Sequence, residues 1–268
     1  MTHHIVSFRN ANIHCYTEGK GRCIVLLHGF LGSSEVWKYI VPYLSSSFKV
    51  ICIDLPGHGK SDCIGYAHSM ELMADAVYAV LKYFKIKKCV LVGHSMGGYV
   101  SLAFAQKYSE FVKGLCLFHS TAYPDSEEKK KDRNRAIKII KTNPKLFIQP
   151  MIKNLFSKKL LPYLLNELKL ATEIAMQTPV QGIIAALVGM RDRPSYLPVI
   201  KYAPFPVMMI IGKYDNVLPA NILLEQCEII PHKTCLFLEY EGHFGQLENP
   251  KFTGISIRKF ARNCFLHK

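Results

Sequence analysis

The run Gly93-His94-Ser95-Met96-Gly97-Gly98 decides the fold of this chain. It directly follows an apolar stretch at positions 89–92 that has the composition of a buried strand, and it opens a helical pattern over 96–108. A serine on a tight turn from strand to helix adopts a strained backbone, so the residues two positions away on either side must be small. The flanking glycines meet that need. The context therefore predicts a nucleophilic Ser95 rather than a glycine-rich helix cap without chemistry.

Short apolar runs alternate with longer amphipathic segments along the 268 residues. This alternation predicts an α/β fold, a parallel sheet with helices on both faces, and turn-prone residues at 10–12 predict an initial antiparallel hairpin. The predicted strands are 5–8, 13–16, 23–27, 50–53, 89–92, 115–118, 207–211 and 234–238. The predicted helices around them are 35–44, 69–84, 96–108, 220–229 and 250–265.

The strand pattern is absent from residues 121–203. Apolar residues recur there at helical spacing, and prolines divide the segment into short pieces. We expect a helical insertion that lies over the sheet as a cap, flanked by core segments at 1–120 and 204–268. Its charged run Glu127-Glu128-Lys129-Lys130-Lys131 predicts an exposed helix start.

A serine nucleophile needs a general base, and the base needs an orienting carboxylate. In a parallel sheet such groups follow other strands, beyond their carboxyl ends. Asp215 follows the seventh predicted strand and His243 the eighth, which gives the chain order Ser95, Asp215, His243. Asp125, after the sixth predicted strand, is the rival acid.

A glycine-rich loop, His28-Gly29-Phe30-Leu31-Gly32, follows the third predicted strand. Such a loop allows a backbone N–H to turn toward a substrate carbonyl, so the N–H groups of Phe30 and Met96 are predicted to form an oxyanion hole. His28 is expected to support this loop. His119 is a candidate substrate contact, with a buried core histidine as the alternative.

Together these motifs resemble the α/β-hydrolase superfamily, and within it the cap-bearing branch of esterases, lactonases and C–C hydrolases. The motifs occur in order as His28–Gly32, Asp54-Leu55-Pro56-Gly57-His58-Gly59-Lys60-Ser61, Gly93–Gly98, Gly212-Lys213-Tyr214-Asp215 and Glu241-Gly242-His243-Phe244. The resemblance implies an eight-stranded, mostly parallel sheet with an antiparallel second strand, and a helical cap between strands six and seven. It also implies Ser95 as nucleophile, His243 as base and Asp215 as acid.

The predicted activity is cleavage of a carboxylic ester, thioester or lactone through an acyl-enzyme, with no cofactor and no metal. The alternative is a C–C bond hydrolase or a lyase or synthase that uses the same triad on an anionic keto acid or dicarboxylate. In that case Arg191 and Arg193 in the cap are the candidate anion-binding residues. A pseudo-hydrolase without activity is a third hypothesis, which the retention of all three triad residues disfavours.

The composition limits the classes of binding partner that are expected for this chain. The formal net charge is +14, yet no nucleic-acid motif and no basic run interleaved with aromatics accompanies it, so a lysine-rich solvated surface is expected. No apolar run reaches the length of a membrane helix, and the N-terminus lacks a secretory apolar region. Nine scattered cysteines favour a reducing compartment. The expectation is a cytoplasmic monomer or homodimer that acts on a small molecule.

Overall fold

One sheet of eight strands organises residues 1–266, the part of the chain that the computed structural model describes. The strands are β1 Thr2–Phe8, β2 Ala11–Glu18, β3 Cys23–Leu27, β4 Lys49–Ile53, β5 Cys89–His94, β6 Val112–Phe118, β7 Val207–Gly212 and β8 Lys233–Leu238. Their spatial order is β1-β2-β4-β3-β5-β6-β7-β8, and β2 is antiparallel to both of its neighbours while β3 to β8 are parallel. The predicted sheet, with its antiparallel second strand, is confirmed.

The central strands are buried on both faces, as a continuous apolar run such as β3 predicts. Because side chains alternate across a strand, Val25 and Leu27 belong to one core cluster, whereas Ile24 and Leu26 belong to the other. Helices must therefore cover both faces of the sheet.

The helices follow the predicted alternation. They are α1 Val41–Ser45, α2 Met70–Tyr83, α3 Met96–Lys107, α4 Glu127–Thr142, α5 Pro144–Asn154, α6 Leu165–Met176, α7 Val180–Asp192, α8 Leu197–Lys201, α9 Ala220–Glu228, α10 Gly245–Glu248 and α11 Pro250–Leu266. The buried faces of α2 and α3 belong to the first core cluster, and those of α1 and α11 to the second. Helices α4 to α8 connect β6 to β7 and form the predicted helical cap, although its division from the core at residues 121 and 203 stays a prediction.

The predicted helix over 35–44 is wrong, because the structure breaks it into a 3₁₀ turn, Ser34–Trp37, and the short α1. Pro42 explains the break. A continuous helix would place its ring against the carbonyl of Lys38 and would lose one backbone hydrogen bond. The short helix α10 was not predicted. Among residues 1–266, no helix has both the length and the apolar character needed to cross a membrane.

Candidate active site

Ser95 lies on the turn between β5 and α3 with φ of 50° and ψ of −114°, a conformation that is strained for a residue with a side chain. The turn is tight on both sides. A Cβ atom on Gly93 would overlap the carbonyl oxygen of Gly97, and one on Gly97 would overlap the carbonyl oxygen of Leu27. The glycines on either side of the serine therefore have a steric cause, as predicted.

Asp215 and His243 come together at the ends of β7 and β8. The Nδ1 atom of His243 lies 2.7 Å from Oδ2 of Asp215, and the other carboxylate oxygen accepts the N–H groups of Val217 (2.8 Å) and Leu218 (2.9 Å). Because a carboxylate can only accept, Nδ1 of His243 carries the proton and Nε2 keeps a free lone pair. This is the tautomer that a general base requires.

The charge state of Asp215 fits that arrangement. Burial alone would raise the pKa of Asp215, but the charge of His243 and the hydrogen bond from it hold that pKa at about 2. The carboxylate is therefore ionised at neutral pH and can stabilise a protonated His243.

The loop that carries His243 is tied to the cap by backbone contacts. The His243 N–H donates to the carbonyl oxygen of Leu155 (2.7 Å), at the end of α5. Glu248 on α10 accepts the N–H of Ser157 (2.7 Å) with one oxygen and that of Gly242 (2.8 Å) with the other. No sequence pattern points to Glu248, because nothing in a four-residue helix indicates which backbone groups its side chain reaches.

The predicted substrate contact His119 lies behind the acid and outside the lining of the cavity. Its side chain is fully buried; Nε2 accepts the N–H of Gly245 (3.2 Å), which leaves the proton on Nδ1, 3.8 Å from Oδ2 of Asp215. Burial lowers the pKa of His119 to about 3, so its ring is neutral. The geometry supports the alternative, a buried histidine next to Asp215.

His28 holds the loop after β3 in place through both of its ring nitrogens. The Nε2 atom of His28 accepts the N–H of Leu55 (2.9 Å), so its Nδ1–H donates to the carbonyl of Gly29 (2.8 Å). Phe30 follows in this loop and lines the cavity next to Ser95. Met96 is the first residue of α3, where a backbone N–H has no acceptor inside the helix.

A cavity of about 250 Å³ lies between the sheet edge and the cap. Ser95 and His243 line it on the sheet side. The cap contributes an apolar wall, made of Phe147, Met151, Leu187 and Met190. It also contributes three charged residues, which are Lys129, Asp132 and Arg133. These charged residues were not among the predicted site residues, although the spacing of positions 129, 132, 133 and 136 places Lys129, Asp132, Arg133 and Ala136 on one face of α4.

The predicted anion-binding arginines lie outside this lining. Arg193 is buried: its Nη1 donates to Asp125 and to the carbonyl of Met190, both at 2.6 Å, and its guanidinium stacks on Tyr99. Arg191 is at the surface and pairs with Asp192. The geometry therefore brings neither arginine to the candidate nucleophile.

The rival acid Asp125 has two arginine partners and is not paired with His243. Its carboxylate pairs with Arg133 as well as with Arg193. Among residues 1–266, no group of three or more His, Cys, Asp or Glu side chains is arranged to hold a metal ion.

Comparison with known proteins agrees with the fold. The sequence profile described as the α/β hydrolase fold matches residues 22–250, so the chain belongs to the α/β-hydrolase fold family. The structure of a thermophilic esterase from Thermogutta terrifontis superposes with a TM-score of 0.93 at 27% identity, over 98% of this chain and 99% of that one. The family and its esterase neighbour support a hydrolase.

Curated relatives point to related chemistries. The 2-hydroxy-6-oxononadienedioate/2-hydroxy-6-oxononatrienedioate hydrolase of Burkholderia vietnamiensis is 27% identical over 271 residues, which cover 93% of this chain and 91% of that protein. The putative 2-succinyl-6-hydroxy-2,4-cyclohexadiene-1-carboxylate synthase of Bacillus subtilis is 26% identical over 88% of this chain and 89% of its own length. Some curated matches are much shorter, and one, 35% identical over 106 residues, spans only 6% of the relative.

Proposed function

We propose that the protein is a serine hydrolase that cleaves a carboxylic ester, thioester or lactone through a covalent acyl-enzyme. The observation that carries the proposal is the 2.7 Å contact between Asp215 and Nδ1 of His243, beside a cavity that His243 shares with Ser95. Ser95 is the nucleophile in this proposal, His243 the base and Asp215 the acid.

The reaction proceeds in two halves. Nε2 of His243 takes the proton of the Ser95 hydroxyl as Oγ attacks the carbonyl carbon, and the protonated ring then gives that proton to the leaving alcohol, thiol or ring oxygen. Water repeats the sequence on the acyl-enzyme and releases the acid. Asp215 stabilises the positive charge on His243 in both halves.

The backbone N–H groups of Phe30 and Met96 are the proposed oxyanion donors. Removal of one such donor costs about 3–4 kcal/mol of transition-state stabilisation. The position of Met96 at the start of α3 supports this role, because the dipole of a helix N-terminus also favours negative charge.

The test is hydrolysis of p-nitrophenyl butyrate by the wild type and by Ser95→Ala. Loss of a triad nucleophile lowers kcat by about 10⁶-fold in a serine hydrolase, so the variant should show no turnover above background. Ser109→Ala, which changes an exposed serine two residues after α3 and outside the cavity lining, is the matched control and should keep full activity. Substantial turnover by the Ser95 variant would refute the proposal.

The second candidate is hydrolysis of a C–C bond by the same triad. It is favoured by the dienedioate hydrolase, to which 93% of this chain aligns. Incubation with that 2-hydroxy-6-oxononadienedioate and chromatography of the products would test it. Two shorter acids formed faster than any ester is cleaved would favour C–C hydrolysis, and an intact dienedioate would exclude this substrate. The cytoplasmic location and the oligomeric state stay predictions.

A further inference from the structure

Lys129 lies on the wall of the cavity that holds Ser95 and His243, and not on the solvent face that its charged run predicts. It occupies the first turn of α4, half-buried, while Glu127, Glu128 and Lys131 around it are exposed. The ammonium group donates one hydrogen bond, to the carbonyl oxygen of Val217 at 3.2 Å. An ammonium group has three donors, so this contact leaves two for a ligand.

The carboxylates near Lys129 are already paired with other cations. Asp125 is shared by Arg133 and Arg193, and Asp132 pairs with Arg135. Among residues 1–266, no carboxylate oxygen lies within 4.0 Å of the Lys129 ammonium. Among the charges that act on Lys129, counting Lys129 itself with Arg133 and Arg193 against Asp125 and Asp215 leaves one net positive charge.

The surroundings make an uncompensated ammonium group costly. Much of the cavity wall is apolar, including Phe147, Met151 and Leu187. Burial lowers the pKa of Lys129, Arg133 and Arg193 add repulsion, and Asp125 and Asp215 only partly oppose these effects. An anion bound in the cavity would relieve this cost, and a carboxylate would form a charge-assisted hydrogen bond.

We propose that Lys129 binds a free carboxylate on the substrate, so that the preferred substrates are esters, or related acyl compounds, that carry a second, ionised carboxyl group. This inference rests on the proposed function, because it places the reacting carbonyl at Ser95 in the same cavity. It assigns anion recognition to the start of α4 instead of to Arg191 and Arg193. Lys129 acts as a specificity residue and takes no part in proton transfer.

The kinetic test uses monomethyl glutarate and dimethyl glutarate, which differ by one methyl group that removes the negative charge, with methanol release as the readout. The wild type should favour the monomethyl ester. Lys129→Met keeps the length of the side chain without its charge, and it should lower the kcat/KM ratio of monomethyl to dimethyl ester by about 10- to 100-fold, the value of one hydrogen bond to a charged group. Most of that change should be in KM.

Lys131→Met is the matched control, since it removes an exposed lysine two residues further along α4. It should leave the ratio at the wild-type value. An equal loss on both esters in Lys129→Met, or an unchanged ratio, would overturn the role of Lys129. A ratio that falls as far in the control would show general attraction by the basic surface and would also overturn it.

A binding measurement separates this inference from the proposed chemistry. Glutarate should bind to Ser95→Ala by isothermal titration calorimetry, and the double variant with Lys129→Met should bind it at least about tenfold more weakly. If neither ester is cleaved but glutarate binds in a Lys129-dependent way, the proposed reaction fails and the anion site stands. If both esters are cleaved and the affinity for glutarate does not depend on Lys129, the anion site fails and the reaction stands.

Discussion

Two buried aspartates follow neighbouring strands of the sheet and differ in their partners. Asp125 comes after β6 and Asp215 after β7, and both carboxylates have no solvent exposure. Asp215 contacts a histidine that lines the cavity, whereas Asp125 contacts two arginines. Position and burial are therefore common to both residues, and the partner distinguishes them.

The chemical consequence follows from what each partner can do. A histidine changes its charge near neutral pH, so a carboxylate beside it can stabilise the proton that catalysis moves. Arginine stays protonated at all relevant pH values, so the ion pairs of Asp125 keep their charges near neutral pH and the role of Asp125 is structural. Through Arg133 on α4 and Arg193 after α7, it ties two parts of the cap to the loop after β6.

The largest expected effect in this comparison is on turnover. Asp215→Asn should lower kcat for p-nitrophenyl butyrate by about 10⁴-fold, because the amide no longer selects the tautomer with a free Nε2 on His243. Circular dichroism should show an unchanged fold. Asp125→Asn is the matched variant and should retain kcat within about tenfold under conditions where it is folded, because its partners Arg133 and Arg193 take no part in proton transfer. Similar losses of kcat in the two variants would contradict the distinction.

The loss of folding stability should be larger in Asp125→Asn than in Asp215→Asn, the opposite of the order expected for turnover. Asp125→Asn leaves the buried guanidinium of Arg193, only 2% exposed, without its counter-charge, which costs about 3–5 kcal/mol. For a chain of this size that corresponds to a fall in Tm on the order of 10 °C. Asp215→Asn should cost less, since an amide oxygen can still accept the Val217 and Leu218 N–H groups. Thermal unfolding measures both, and a more stable Asp125 variant would contradict this account.

Much of the fold and of the candidate site can be predicted from the sequence alone, and the two aspartates show which contacts cannot. Local patterns predict the strands, the strained turn at Ser95 and the loops that hold Asp215 and His243, because each depends on neighbours in the chain. The partners of Asp125 lie 8 and 68 residues away, so no local pattern reveals that pairing. The charged run predicts an exposed Lys129 for the same reason, because the surface that α4 packs against is not encoded in the run of charges.

Acidification should reduce the difference in stability between the wild type and each aspartate variant. The pKa of Asp125 and that of Asp215 are both below their ordinary value of 3.8, because the attraction of Arg133 and Arg193, or of His243, outweighs burial. A depressed pKa in the folded state adds stability above the unfolded-state pKa, and that stability is lost as the pH falls through the folded-state value, which is about 2 for Asp215. Urea unfolding from pH 7 to pH 2 should show a gap that is constant near neutrality and narrows below about pH 4. A gap that widens in acid would contradict the assigned ion pairs.

The smallest effect is expected for His119→Asn. The distance of 3.8 Å between Nδ1 of His119 and Asp215 is too long for a hydrogen bond, so its removal should lower kcat by only about two- to fivefold. Asparagine tolerates the left-handed backbone that His119 adopts, at φ of 46°. KM should stay at the wild-type value, because the side chain lies outside the cavity lining. A large rise in KM would restore His119 as a substrate contact.

The central claim, that Ser95 is the nucleophile which the Asp215–His243 pair activates, is tested most directly by covalent labelling. A fluorophosphonate probe should modify the wild type at a single site, and peptide mass spectrometry should place the adduct on Ser95. Labelling should vanish in Ser95→Ala, slow strongly in Asp215→Asn and persist in Asp125→Asn. An adduct on another residue, or equal labelling of the Ser95→Ala variant, would contradict the account.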